Sequence, residues 1–198
     1  ARKRPKPGER RIQILQTLAS MLEQPGGERI TTAALAARLE VSEAALYRHF
    51  ASKAQMFEGL IEFIEHTVFA LLNQIVPPGD SAPAASADTG VRQAGRVVGV
   101  LLQFAEKNPG MARVIIGDAL VFENERLQQR MNQFFDRIES TLRQCLRASG
   151  SETPTVHAQV QASVLTSFAL GRLQRFARSG FRRNPTEHLD ASLALMLH

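Results

Sequence analysis

Apolar residues recur every three to four positions through most of this chain, the spacing of helices buried along one face. Ile12, Leu15, Ala19 and Leu22 mark a first helix from Arg10, stopped by Pro25-Gly26-Gly27. Thr31 and Thr32 open a second as cap residues, with Leu35, Ala36 and Leu39 buried. Ser42 caps a third, in which Leu46 and Phe50 are core by spacing. Ser52, with Gln55 three later, makes a capping box for the fourth. That helix carries Phe57, Leu60, Ile61, Ile64, Val68, Leu71, Leu72 and Ile75, and ends at Pro77-Pro78. Residues 77–90 are small, polar and proline-rich, and read as a flexible loop. A fifth helix carries Val97, Val98, Leu101, Leu102 and Ala105 until Asn108-Pro109-Gly110 breaks it, and a short apolar segment follows to Phe122. The next carries Leu127, Met131, Phe134, Phe135, Ile138, Leu142 and Leu146 and stops near Gly150. Another runs from about Thr155 to Gly180, and Asn184-Pro185, with Glu187 third in the helix, starts the last. With no strand signal and no repeat, the expected fold is all-α. It comprises a helix-turn-helix unit over residues 10–51 and a larger helical body over 52–198, about nine helices in all.

The length of 198 residues suits one domain, or a small one fused to a larger. A single cysteine, Cys145, cannot form an internal disulfide and points to a reducing cytoplasm. Its place between Leu142 and Leu146 makes it a core position. No apolar run approaches the roughly 20 residues of a membrane span, and the charged start lacks the apolar stretch of a secretory signal. The net charge of +5 changes the picture through its placement. Residues 1–60 hold ten Lys/Arg against six Asp/Glu, so nearly all the excess lies beside the helix-turn-helix. That bias suits a polyanion as well as it suits a plain soluble surface. Residues 1–9, rich in Lys, Arg, Pro and Gly, read as a disordered basic arm.

In a helix-turn-helix the second helix enters the major groove of duplex DNA. Thr31 and Thr32 stand at a helix N-terminus, where hydroxyls and free N–H groups can hold a phosphate. Ser42, Glu43, Ala44 and Ala45 begin the reading helix, and the small residues permit close approach to base edges, alanine methyls meeting thymine methyls. Tyr47, Arg48 and His49 follow one turn on. The tyrosine hydroxyl and the guanidinium are phosphate donors, and Arg48 can alternatively reach a guanine. Lys53, at the start of the fourth helix, again lies near the backbone.

The run LYRHF, followed by a capped helix with an early lysine, resembles the signature of tetracycline-repressor-type (TetR) regulators. The resemblance implies an all-α homodimer with an N-terminal DNA-binding domain and a C-terminal dimerisation body. Where that family usually has glycine in the turn, this chain has Glu40, so the turn is expected to be strained or rearranged. Beyond the reading unit, LIEFIE, EKNPG, MNQFFDRIE and RFARSGF resemble one branch of that family, the nucleoid-occlusion factors. This likeness implies a cytoplasmic, nucleoid-associated protein that binds dispersed chromosomal sites, holds the C-terminal tail of the division protein FtsZ between its fourth and fifth helices, and blocks ring assembly. The loop at 77–90 looks longer than is usual there.

Phe63 supports such a groove independently. At 100° per residue it falls about 120° from the centre of the fourth helix's apolar stripe, so it needs a partner other than the stripe's. Lys107 and Asn108 end the fifth helix beside it in antiparallel packing. An aromatic with a cation suits a short apolar peptide with acidic flanks; packing under the loop or against the N-terminal unit is the plainer explanation. The dimer is expected through the last two helices, with Ala162, Ser163, Ala169 and Gly171 allowing close approach and Leu165, Phe168 and Leu173 as an apolar seam.

Other chemistry has little behind it. The five histidines show no metal-ligand spacing with one another or with Cys145. No phosphate-binding glycine loop or nucleophile motif occurs, so neither a cofactor nor catalysis is expected. Arg172, Arg175 and Arg178 form a basic stripe, ordinarily a solvated one. The competing function is a ligand-responsive repressor, which needs an apolar cavity with convergent polar groups.

Overall fold

The computed structural model describes residues 8–27, 29–78, 86–147 and 154–197. Among them are nine α-helices and no strand. The helices are α1 (Glu9–Leu22), α2 (Thr32–Arg38), α3 (Glu43–Leu46), α4 (Lys53–Ile75), α5 (Ala87–Lys107), α6 (Pro109–Ile115), α7 (Glu125–Leu146), α8 (Pro154–Arg178) and α9 (Leu189–Met196), with a 3-10 turn at Asp118–Leu120.

Local chemistry explains most boundaries. The hydroxyls of Thr31, Ser42 and Ser52 accept from the N–H groups of Ala34, Ala45 and Gln55 at 3.1, 3.3 and 3.2 Å. Gln55 returns the bond at the third cap, its Oε1 accepting from the Ala51 N–H at 2.9 Å. Pro109 is the first residue of α6, where its missing N–H costs no helical bond. Ser86 caps α5, so the expected loop is shorter at its far end: residues 87–90 are the first turn of a helix. Residues 79–85 of that loop lie outside the described residues, as does the basic arm through residue 7.

The turn between α2 and α3 is not rearranged. Glu40 takes the left-handed conformation at φ 55° that glycine would favour. Its N–H donates to Ala37 O and the Val41 N–H to Ala36 O, the paired bonds that close a helix through a left-handed residue.

One continuous apolar core runs through the molecule, from Ile14, Leu18 and Leu22 of α1 through Phe57, Ile61 and Ile64 of α4 to Leu101, Phe134, Leu142 and Leu165 of the body. The reading unit therefore sits on α4 and α6 through apolar packing. On α4, Leu71 leaves the expected stripe and is 40% exposed, while Phe69 is buried against Phe134. On that flank Glu58 and Glu65 pair with Arg126 and Arg130 of α7, the second pair two-pronged at 3.0 and 2.6 Å. The hydrogen bond that Arg130 donates to Glu65 holds its pKa above the ordinary arginine value, against the opposing effect of burial.

The start of α9 differs from expectation. Asn184-Pro185 makes a turn, and the helix begins only at Leu189, after His188 in a left-handed conformation. Long-range bonds hold the turn: Asn184 Nδ2 and Thr186 Oγ1 donate to the Glu106 carboxylate of α5 at 2.9 and 2.6 Å.

Candidate nucleic-acid interface and partner groove

The reading unit presents a compact polar surface. Ser42, Glu43, Ala44 and Arg48 are exposed, Ala45 and His49 half-buried, and Tyr47 is 46% exposed. Regular helix ends at Leu46, and the bonds from the His49 and Phe50 N–H groups to Leu46 O carry the chain on as turns. Thr31 is engaged as a cap but stays exposed. Thr32 instead reaches across to the reading helix, its hydroxyl donating to Glu43 Oε2 at 2.7 Å, so the two helices are tied at their N-termini. Sequence reasoning missed Arg11, whose guanidinium donates to His49 O and stacks over the Phe50 ring at 4.1 Å. No local signal marks that contact, which spans 38 positions of the chain.

Lys53 is placed differently from expectation. Its ammonium pairs with the largely buried carboxylate of Glu123, in the turn before α7, and lies 5.7 Å from the Phe57 ring centre. A DNA phosphate at this lysine has to compete with that carboxylate. Close by, Arg29 stacks over Phe122 at 4.6 Å, so a cation of the reading unit and Lys53 at the start of α4 are tied to the same turn of the body.

The second surface lies between α4 and α9, with α5 as its floor. It is an open groove of about 590 Å³, lined by Leu71 and Ile75 of α4, Arg92, Arg96 and Val100 of α5, and Leu189 and Leu193 of α9. Gly95 and Gly99 face α9, where a Cβ would already touch Leu193 and Leu189 at 3.5 and 3.9 Å, so α9 lies close on α5. Gln93 Nε2 donates to Ile75 O at 3.2 Å and fixes the far end of α4 against α5. Outside the groove lining, toward the C-terminal end of α5, Phe63 is 47% exposed and rests on Phe104, ring centres 5.8 Å apart. Asn108, half-buried, donates through Nδ2 to Phe104 O at 2.8 Å and so closes the C-terminus of α5. Lys107 is exposed there. Phe63, Phe104 and Asn108 thus form one cluster, whereas the role of Arg92, Arg96 and α9 had no sequence cue.

The expected dimer residues divide. Ala162, Leu165, Ala169 and Leu173 are buried in the protomer's own core and cannot reach a partner. Phe168 is half-buried beneath the Arg172 guanidinium at 4.9 Å. Gly171 has nothing within 4 Å of where a Cβ would be. The reason for the correction is that α8 packs on α5, α6 and α7, which takes its larger apolar residues inward. Its outer face is instead Val156, Val160 and Val164, alongside Ser163, Ser167 and Gly171, with Leu195 of α9 87% exposed.

Among the described residues no cluster of His, Cys, Asp and Glu could hold a metal, and no helix is long and apolar enough to cross a membrane. Burial pushes the Cys145 thiol up to about 11.

Comparison with known proteins places the chain in a family. Residues 14–60 match the tetR family of bacterial regulatory proteins, and residues 88–198 match the SlmA-like, tetracyclin repressor-like C-terminal domain. A transcriptional regulator from Rhodococcus sp. shares the fold at TM-score 0.71 and 20% identity, over 94% of this chain and 93% of that one. The TetR-family regulator PfmR of Thermus thermophilus does so at TM-score 0.69 and 20% identity, over 94% of each chain. Nucleoid occlusion factor SlmA of Idiomarina loihiensis is 47% identical, over 94% of this chain and 93% of that protein. The factor of the same name from Vibrio vulnificus is 48% identical, over 96% and 95%. A matched reading unit, a matched body and near-half identity over nearly the full length of both chains together show that this chain belongs to the SlmA family of nucleoid occlusion factors, within the TetR family.

Proposed function

We propose that this chain acts as a homodimer on chromosomal DNA, binds the C-terminal tail of FtsZ in the groove beside α5, and thereby opposes division-ring assembly over the nucleoid. The single observation that carries this reading is Phe63. A phenylalanine half open to solvent, backed by a second ring and carried on the same helix as the groove's Leu71 and Ile75, is the form of a peptide anchor. Lys107 stands at the C-terminal end of α5 and Arg92 and Arg96 lie along the groove wall, so an apolar segment with acidic neighbours meets complementary charge.

On the DNA side, Thr31, Tyr47 and Arg48 hold phosphates, and Ala44 and Ala45 lie against base edges in the major groove. Pairing two protomers through the outer face of α8 and Leu195 presents two reading helices to two half-sites. The protein acts in the cytoplasm, at the nucleoid.

Sedimentation of FtsZ polymers tests the proposal. Polymer in the pellet is expected to fall when the protein is added with a DNA site, and to fall less without it. Phe63→Ala is expected to abolish most of that loss and to weaken tail binding by on the order of 1–3 kcal/mol, with DNA affinity kept. Undiminished polymer in the presence of protein and DNA refutes the reading.

A further inference from the structure

The segment that closes the groove also builds a second feature. Leu189 and Asp190 line the groove wall, while Asn184 and Glu187, just before them, line a separate pocket of about 120 Å³ with Arg172, Arg175 and Arg183. Three guanidiniums against one carboxylate leave this pocket cationic. Arg172 is committed to the framework: it donates to Glu187 O at 2.8 Å and to Ser192 Oγ at 3.0 Å. Arg182 is likewise used, its Nε donating to Ser179 O at 2.9 Å at the end of α8. Arg175 and Arg183 are exposed, and among the described residues neither side chain has a hydrogen-bond or ion-pair partner.

The backbone that presents them is held in place. Ser179 Oγ accepts from the N–H groups of Arg182 and Arg183 at 3.1 and 2.9 Å. Phe181, at φ 63°, stacks on Phe176 with ring centres 5.2 Å apart. Asn184 and Thr186 are bonded to Glu106, the residue before Lys107. The turn that carries Arg183 is therefore fixed to the C-terminal end of α5, one residue from Lys107, and its continuation through Leu189 and Asp190 lines the groove.

We propose that Arg175 and Arg183 form an outer subsite of the partner groove, one that takes carboxylates flanking the peptide segment seated between α4 and α9. This rests on the groove reading above. Guanidinium forks match carboxylates, and a planar fork loses less freedom for each hydrogen bond it forms than a flexible ammonium does. A solvated stripe would not need the turn to be bonded to α5, whereas a subsite does, because its distance from the groove must be constant.

The test uses the full-length chain and three synthetic peptides: the FtsZ C-terminal tail, and the same tail carrying four glutamates at one end or at the other. Fluorescence anisotropy is read at low and at high salt. One of the extended peptides is expected to bind the unaltered protein about three- to tenfold more tightly than the bare tail at low salt, with the advantage screened away at high salt. Arg175→Glu combined with Arg183→Glu is expected to erase that advantage while leaving the bare tail and DNA binding as they were. Arg175→Gln with Arg183→Gln, which removes the charge without reversing it, is expected to lower it partway. Equal advantage in the unaltered and doubly reversed proteins overturns the subsite and leaves the groove reading standing. A matching loss of DNA affinity in the reversed protein overturns it in favour of a DNA contact. Failure of the bare tail to bind the unaltered protein, or binding indifferent to Phe63→Ala, overturns the groove reading and the subsite with it.

Discussion

Replacing Glu40 by glycine and, separately, by alanine isolates the backbone strain in the turn of the reading unit. Glu40 sits at φ 55° and closes α2 with the bonds to Ala37 O and Ala36 O. An L-residue with a Cβ in this conformation costs roughly 1–2 kcal/mol, a cost glycine avoids. Glycine in turn adds freedom to the unfolded chain, worth about 0.4–1 kcal/mol against alanine. Both variants delete the same side chain, so the difference between them reports the conformation and not the lost carboxylate. Glu40→Gly is expected to be more stable than Glu40→Ala by about 0.5–1 kcal/mol, or roughly 1–4 °C in Tm for a chain of this size. Thermal unfolding followed by circular dichroism at matched protomer concentration measures it, since a dimer's Tm depends on concentration. DNA affinity should be equal in the two, because both keep the turn. Alanine equal to or above glycine refutes the assigned conformation.

Val160→Arg places a charge on the outer face of α8, where Val160 is 57% exposed. It should convert a species of about twice 21.8 kDa into a monomer in the analytical ultracentrifuge, while Leu165→Ala, a core change, should lower Tm and keep the dimer. Lys53→Met should destabilise the fold by about 1 kcal/mol, because Glu123 loses its partner in a poorly solvated site. It should lower the slope of log DNA affinity against log salt by less than the roughly one unit of a full phosphate contact; a full unit shows that DNA displaces Glu123. Cys145 should resist thiol reagents in the native state at neutral pH. Because its folded pKa is raised to about 11 from 9.0, its contribution is complete below the unfolded value and is lost as pH rises from 9.0 through 11. Stability flat across that window, with Cys145→Ala as reference, contradicts its burial.

How much of this was legible in the sequence follows from the range of the interactions. Capping hydroxyls bond N–H groups three residues on, so Thr31, Ser42 and Ser52 announce their helices locally. Helical periodicity likewise separated Phe63 from the core stripe of α4, because angle around one axis is a property of that helix alone. What covers a face is decided by other helices. Spacing could not tell that Leu71 would open to a groove, or that Ala162, Leu165, Ala169 and Leu173 point inward while the valines of α8 point out. An apolar stripe looks the same whether its neighbour belongs to its own chain or to a second copy. The partner of Lys53 and the anchor of Asn184 and Thr186 lie far along the chain, the latter 78 and 80 positions away. The start of α9 moved for the same reason: a helix signal at Asn184-Pro185 lost to two bonds with Glu106 that exist only once α5 is in place. Composition and local chemistry determined the helices and the reading unit, and the tertiary structure decided which of their faces are buried in the protomer's own core and which stay exposed.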